Sequence, residues 1–152
     1  MRNGADCIVT FDADGQHQVA DVAKLIAPIV AGECDIVLGS RFLGSSVSEI
    51  PLMRRVTLRF AVLFTRIVNR ISVTDTHNGL RAFSRRAASR IDLQLDRMAH
   101  ATELLDQVRE SKLPYREVPV HVRYTEYSRS KGQSARGAFR ILLHYVLGRV
   151  LP

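Results

Sequence analysis

Apolar residues come in short blocks along the chain, and each block is bounded by glycine, proline or a polar cluster. Ala5 to Phe11 is an apolar run ending at Asp12, and it predicts a short buried strand. Between Val19 and Ala31, the residues Val22, Leu25, Ile26, Ile29 and Val30 follow helical spacing, with Gly32 as the stop. Asp35 to Gly39 predicts a second apolar strand, followed by a Gly/Ser-rich loop from Gly39 to Ser48. Strand, helix and strand within about 35 residues predict the crossover of a parallel sheet. Pro51 opens a long helix that reaches about Ile71. Thr74 to Asn78 reads as a polar loop, Leu80 to Phe83 as a short strand, and Arg85 to Ile91 as a helical turn or two. Ala99 to Ser111 predicts another helix, with Pro114 just beyond it. Tyr115 to Tyr124 alternates as a strand does, and Pro119 within it argues for an edge position or a bulge. A polar, basic loop from Thr125 to Ser134 precedes a final amphipathic helix, Ala138 to Val150. The pattern is that of an α/β fold without internal repeats.

Composition agrees with one globular domain. The chain has 152 residues, 46% hydrophobic and 24% charged, enough for a sizeable core. Arg or Lys interrupts every apolar run before it reaches the length of a membrane span. Residues 1–20 lack the features of a signal peptide, so the expectation is a cytoplasmic protein, in peripheral contact with a membrane at most. Cys7 and Cys34 sit in apolar runs without metal-ligand or C-x-x-C spacing, and read as buried reduced thiols.

Charge changes the picture more than composition does. Residues 1–40 carry two basic and six acidic side chains, whereas residues 41–90 carry ten arginines against Glu49 and Asp75. An acidic segment beside an arginine-dense one suits a metal site facing a phosphate-bearing partner. The acidic segment contains Asp12-Ala13-Asp14-Gly15-Gln16-His17, directly after the first strand. Two carboxylates flanking one residue at a strand's C-terminal end can both reach one hard divalent cation. Alone, such a triplet also fits a solvated loop. His17 reads either as a capping or surface histidine or as a direct participant.

Three further segments make the pattern specific. Val37-Leu38-Gly39-Ser40-Arg41 ends a strand in Gly-Ser-Arg. Asp75-Thr76-His77-Asn78-Gly79-Leu80-Arg81-Ala82-Phe83 is a compact polar-to-apolar block, and Glu117-Val118-Pro119 is followed by the basic stretch around Arg129-Ser130-Lys131. In this order the segments resemble family 2 glycosyltransferases, especially their dolichol-phosphate mannose synthase-like group. The resemblance implies a GT-A fold, a Rossmann-like mixed sheet with flanking helices. It also implies sugar transfer from a nucleotide-diphosphate-sugar to a lipid phosphate, assisted by Mg²⁺ or Mn²⁺. Carried over by position, Asp12, Asp14 and Gln16 become metal ligands, with Asp14 also catalytic. Arg41, Arg81, Arg129 and Lys131 become donor or phosphate contacts. Asp75, Asn78 and Gly79 fall near the sugar and acceptor, and Glu103 is the second catalytic candidate. A lipid-phosphate acceptor is already anionic, in which case Glu103 positions rather than deprotonates.

The same resemblance sets the domain expectation. Residues 1–135 match part of a GT-A domain, without the strands that grip the nucleotide in that family, and residues 136–152 form the C-terminal helix. An isolated chain of this kind is expected to bind donor poorly, to turn over slowly or not at all, and to expose a sheet edge through which it can self-associate. Two other readings stay open: an inactive remnant, and a basic nucleic-acid-binding module. The second is the weaker, since aromatics are only 7% and Trp is absent, so no nucleic acid is expected as a partner. In the helix from Pro51, Arg55, Arg59, Arg66 and Arg70 share one arc, with Met53, Phe60, Leu63, Phe64, Ile67 and Ile71 broadly opposite. That face either packs on the core or lies against a membrane surface.

Overall fold

A computed structural model describes residues 4–43, 50, 52–94 and 99–123 of the chain. The basic loop with Arg129 and Lys131, the helix expected over Ala138 to Val150, and Pro51 lie outside the described residues. The elements in order are β1 (Cys7–Thr10), α1 (Ala20–Val30), β2 (Ile36–Ser40), α2 (Leu52–Val68), β3 (Arg81–Ser84), α3 (Arg85–Ala88), α4 (Ala99–Ser111) and β4 (Tyr115–Pro119).

The four strands form one mixed sheet in the order β1-β3-β2-β4. β2 and β4 pair in parallel, while β3 runs antiparallel to both of its neighbours. β1 and β2 therefore point the same way, as the strand–helix–strand pattern requires, but they do not pair. β3 is inserted between them, a long-range choice that local periodicity does not encode. Its Arg81, Ala82 and Phe83 are all buried, as befits a strand flanked on both sides.

β1 differs from the expected buried strand. Its burial alternates between half-buried Cys7 and Val9 and exposed Ile8 and Thr10, because among the described residues only β3 borders it. Cys7 and Val9 pack with Val22, Leu25, Val37, Leu80 and Ala82 between the sheet and α1. On the other face, Ile36, Leu38, Phe83, Leu104, Leu105 and Val108 form the core beneath α4. The result is a three-layer arrangement, with β2 contributing alternate residues to the two cores. β4 stops at Pro119 on the sheet's edge, where a missing N–H disturbs the ladder least.

The orientation of α2 corrects one of the two readings of its apolar face. Met53, Val56, Phe60, Leu63 and Ile67 are exposed, by 45–79%, whereas Phe64 is half-buried and Ile71, past the end of α2, is in the core. The inward side is the less apolar set Val62, Thr65 and Asn69. Asn69 explains why: its Nδ2 donates to Thr102 O at 3.3 Å, and its own carbonyl accepts from Arg109 at 3.2 Å. Those bonds tie the C-terminal end of α2 to α4. Spacing of 3, 4, 3 and 4 then leaves a continuous apolar stripe facing outward.

Candidate functional site

Strand register alone brings the functional segments together. β1 pairs Thr10 with Arg81, and β2 pairs Leu38 with Arg81. Because β3 is antiparallel, its first residue lies beside the C-terminal ends of both neighbours. The Asp12–Asp14 turn, Arg41 and the 74–80 loop consequently meet at one end of the sheet, where ligands of open α/β sheets bind.

Asp12 and the 74–80 loop are in direct apposition. Thr10 Oγ1 donates to Gly79 O at 2.7 Å. A side chain at Gly79 would fall within 3.0 Å of all three carboxyl atoms of Asp12, so glycine is what lets that carboxylate lie against the backbone. The side chain of Asp12 nevertheless remains 60% exposed, with His17 Nε2 at 3.6 Å. His17 stacks at an angle to Phe11, with ring centroids 5.8 Å apart, and its buried Nδ1 has no hydrogen-bond partner. The turn itself is local: Asp14 Oδ1 accepts from Gln16 N at 3.0 Å, and Gly15 takes a φ of +76° that disfavours other residues.

The segment after β4 is strapped to the same turn. Arg123 N donates to Gln16 O at 2.8 Å, and His17 forms an antiparallel bridge with Val122. His121 N donates to the buried Asp21 carboxylate of α1 at 2.7 Å.

Arg41 and Asp75, expected to touch phosphate and sugar separately, are bound to each other. Arg41 Nε and Nη2 reach the two oxygens of Asp75, each at 2.6 Å, and Arg41 N adds a third bond at 3.1 Å. Both residues are buried. Burial pushes the Asp75 carboxyl up, but the Arg41 guanidinium and backbone N–H groups outweigh it and hold the carboxyl below its ordinary range. Arg81 is also buried; burial lowers its pKa, while Asp12 and Asp75 support its charge. His77 lies between, its Nδ1 2.7 Å from Thr76 Oγ1, and burial together with Arg41 and Arg81 disfavours its protonation against the pull of Asp75. Asn78 Oδ1 accepts from Leu80 N at 3.0 Å, leaving a buried Nδ2 without a hydrogen-bond partner.

Glu103 sits at the start of α4, and its Oε1 accepts from Gln94 N at 2.9 Å and from Gln107 at 3.3 Å. It holds the backbone at Gln94. Sequence reasoning gave no role to Glu117, which anchors the loop at Thr74 and Asp75. Its outward sign was its place in the Glu117-Val118-Pro119 segment, to which the resemblance attached no role for this side chain.

Among the described residues, no group of three or more His, Cys, Asp and Glu side chains is placed to hold a metal ion. Asp12 and Asp14 offer two exposed carboxylates. That set suits Mg²⁺ or Mn²⁺, which take one or two carboxylates and fill the remaining positions with water and phosphate oxygens. It does not suit an all-protein cage.

A family model described as Glycosyl transferase family 2 matches residues 4–92. An uncharacterized protein of Methanocaldococcus jannaschii is 36% identical over 146 residues, covering 94% of this chain and 60% of the relative. The UDP-N-acetylglucosamine–dolichyl-phosphate N-acetylglucosaminyltransferase of Methanococcus voltae is 38% identical over 154 residues, covering 97% and 61%. Polyprenol monophosphomannose synthase of Mycolicibacterium smegmatis is 27% identical over 157 residues, covering 99% and 59%. The chain thus spans about three fifths of the length of these relatives.

Proposed function

The chain belongs to glycosyl transferase family 2, and from that premise we propose that its site serves transfer of a sugar from a nucleotide-diphosphate-sugar to a polyprenyl phosphate. The observation that carries this reading is the meeting of the Asp12 carboxylate with Gly79 and Arg81, beside the Arg41–Asp75 pair, at one sheet end. The acceptor class is supported by the names of the relatives, which include a dolichyl-phosphate and a polyprenol-monophosphate enzyme.

In this account Asp12 and Asp14, with Gln16 beside them, hold Mg²⁺ or Mn²⁺. When bound, the ion offsets negative charge on the departing nucleoside diphosphate. Arg81 adds a fixed positive charge at the same sheet end, in a desolvated setting where it acts more strongly than in water. The Arg41–Asp75 pair holds the 74–80 loop rigid, and the Asn78 amide is offered to a sugar or acceptor hydroxyl. An acceptor phosphate needs no general base, so Glu103 acts through the shape of its segment. Arg129 and Lys131, which follow the strap at Gln16 in sequence, supply further phosphate contacts.

The outward stripe of α2 gives this site a surface on which a lipid acceptor can be presented. Phe60, Leu63 and Ile67 are exposed beside exposed Arg59, Arg66 and Arg70, a combination suited to an anionic membrane interface. No helix among the described residues is long and apolar enough to cross a membrane. The contact made by α2 in this reading is peripheral. Phe60→Ser with Ile67→Ser is expected to weaken binding to phosphatidylglycerol vesicles about tenfold or more. Sedimentation with those vesicles measures this, and equal binding by the variant would remove the membrane role of α2.

The direct test of the function is transfer of labelled sugar into a solvent-extractable polyprenyl-phosphate product. Divalent-dependent incorporation supports the reading. Hydrolysis alone, or transfer only to water-soluble acceptors, would exclude the lipid-phosphate class.

A further inference from the structure

Glu117 lies on β4, opposite Leu38 of β2 in the parallel register. Its Oε1 accepts from Thr74 N at 2.9 Å, from Thr74 Oγ1 at 2.9 Å and from Asp75 N at 3.2 Å; Oε2 is also 2.9 Å from Thr74 N. One carboxylate thereby satisfies two consecutive backbone donors and a hydroxyl in a loop distant in sequence.

The bonds continue past Thr74. Ser40 Oγ and Thr74 Oγ1 are 2.6 Å apart, and since the Thr74 proton goes to Glu117, Ser40 is the donor between them. Ser40 Oγ in turn accepts from Phe42 N at 3.1 Å. Arg41 lies between those two residues and is forked onto Asp75. The end of β2 and the start of the 74–80 loop are thus fixed to each other through a hydroxyl pair on one side and an ion pair on the other. Both run back to Glu117.

We propose that Glu117 is a positioning residue for the transfer reaction, acting through Thr74 and the Asp75 amide to set the Arg41–Asp75 pair and the loop that presents Asn78 and Gly79 to substrate. Burial pushes the Glu117 carboxyl above its ordinary range, against the opposing pull of its Thr74 and Asp75 donors. The half-buried carboxylate is kept in place by the number of donors aimed at it. Removing the acceptor strands those donors, and the loop relaxes without the sheet having to open.

The test uses the full chain and two readouts. Glu117→Leu keeps bulk and removes both acceptors, whereas Glu117→Gln retains one oxygen that can take the Thr74 and Asp75 donors. In Glu117→Leu, amide exchange at Thr74 and Asp75 should accelerate by at least about tenfold while the Val37 and Leu104 amides stay as protected as before. kcat should fall about 10- to 100-fold with the donor KM within about threefold, and Glu117→Gln should recover most of the loss. Unchanged exchange at those two amides, equal acceleration throughout the core, an unchanged kcat, or no recovery in Glu117→Gln would each overturn the proposal. If Glu117→Leu does not fold, Thr74→Val removes the hydroxyl link and keeps the β-branched shape. It should accelerate Asp75 amide exchange and lower kcat about three- to tenfold, and no effect on either overturns the proposal. The kinetic arm rests on the functional reading given above; the exchange arm does not. A wild-type chain that transfers sugar only to water or to water-soluble acceptors would remove that reading while exchange still decides the role of Glu117 in the loop.

Discussion

Arg41→Ala is expected to destabilise the folded chain by about 3–5 kcal/mol, read as a lowered urea midpoint with an unchanged slope. The Asp75 side chain is 1% exposed, and Arg41 supplies two of its bonds at 2.6 Å and a third through the backbone. Without the guanidinium, a carboxylate stays buried with the Glu117 charge nearby. Arg41→Met combined with Asp75→Leu should recover much of the loss, because an apolar pair of similar volume carries no desolvation cost. The pH dependence has a definite sign. Asp75 titrates below its ordinary range in the fold, so its contribution is present above the unfolded carboxylate pKa of about 4 and is lost as pH falls through the folded value. In Arg41→Ala, burial acts without its main opponent, and the dependence should reverse: the variant gains stability as pH is lowered toward the carboxylate range. A midpoint shifted by less than about 1 kcal/mol would show that the pair is solvated and not structural.

Gly79→Ala is expected to do the opposite, sparing the fold and damaging the site. The added methyl would overlap the carboxyl group of Asp12, which is the mobile end of a largely exposed side chain. The clash resolves by turning Asp12 away from the loop, at a stability cost of at most about 1 kcal/mol. A displacement of about 1 Å in a ligating or reacting group costs on the order of 100-fold in rate. Gly79→Ala should therefore melt near the wild-type temperature and lose about 100-fold in sugar transfer. Serine at the same position should behave alike, since it carries the same methylene. A fully active Gly79→Ala would mean that the position of Asp12 against the loop is not the reactive one.

How much of this was legible in the sequence depends on the range of the interaction. The bounds of α4 follow from a polar break before it and Pro114 beyond it, and Asp12 does fall just past a strand end. These are local facts. The insertion of β3 between β1 and β2 is not local, and nothing in the run from Leu80 to Phe83 says which strands it joins. The facing of α2 was equally hidden. Helical spacing separates an apolar from a polar face, but Asn69 is drawn inward by its bonds to α4.

The site shows the same division. The resemblance assigned Asp12, Asp14, Arg41, Asp75, Gly79 and Arg81 to metal, phosphate and sugar contacts one by one, yet the pairing of Arg41 with Asp75 spans 34 residues and no local pattern announces it. Glu117 and Ser40 act through loop backbone and hydroxyl groups, which carry no pattern of their own. The arginine-dense middle, read by charge alone as suited to a phosphate-bearing partner, is divided by structure. Arg41 and Arg81 are buried, Arg66 donates to Val73 O, and Arg85 and Arg86 pair with Asp6 and Asp35.

The central claim is that Asp12 and Asp14 make a divalent-metal site for a nucleoside diphosphate. Calorimetric titration of the full chain with uridine and guanosine diphosphates, with and without Mn²⁺, tests it most directly. Binding that requires Mn²⁺ and is lost by about 100-fold or more in Asp12→Asn with Asp14→Asn is the predicted result. Binding of equal strength in that variant, with or without the metal, would contradict the account.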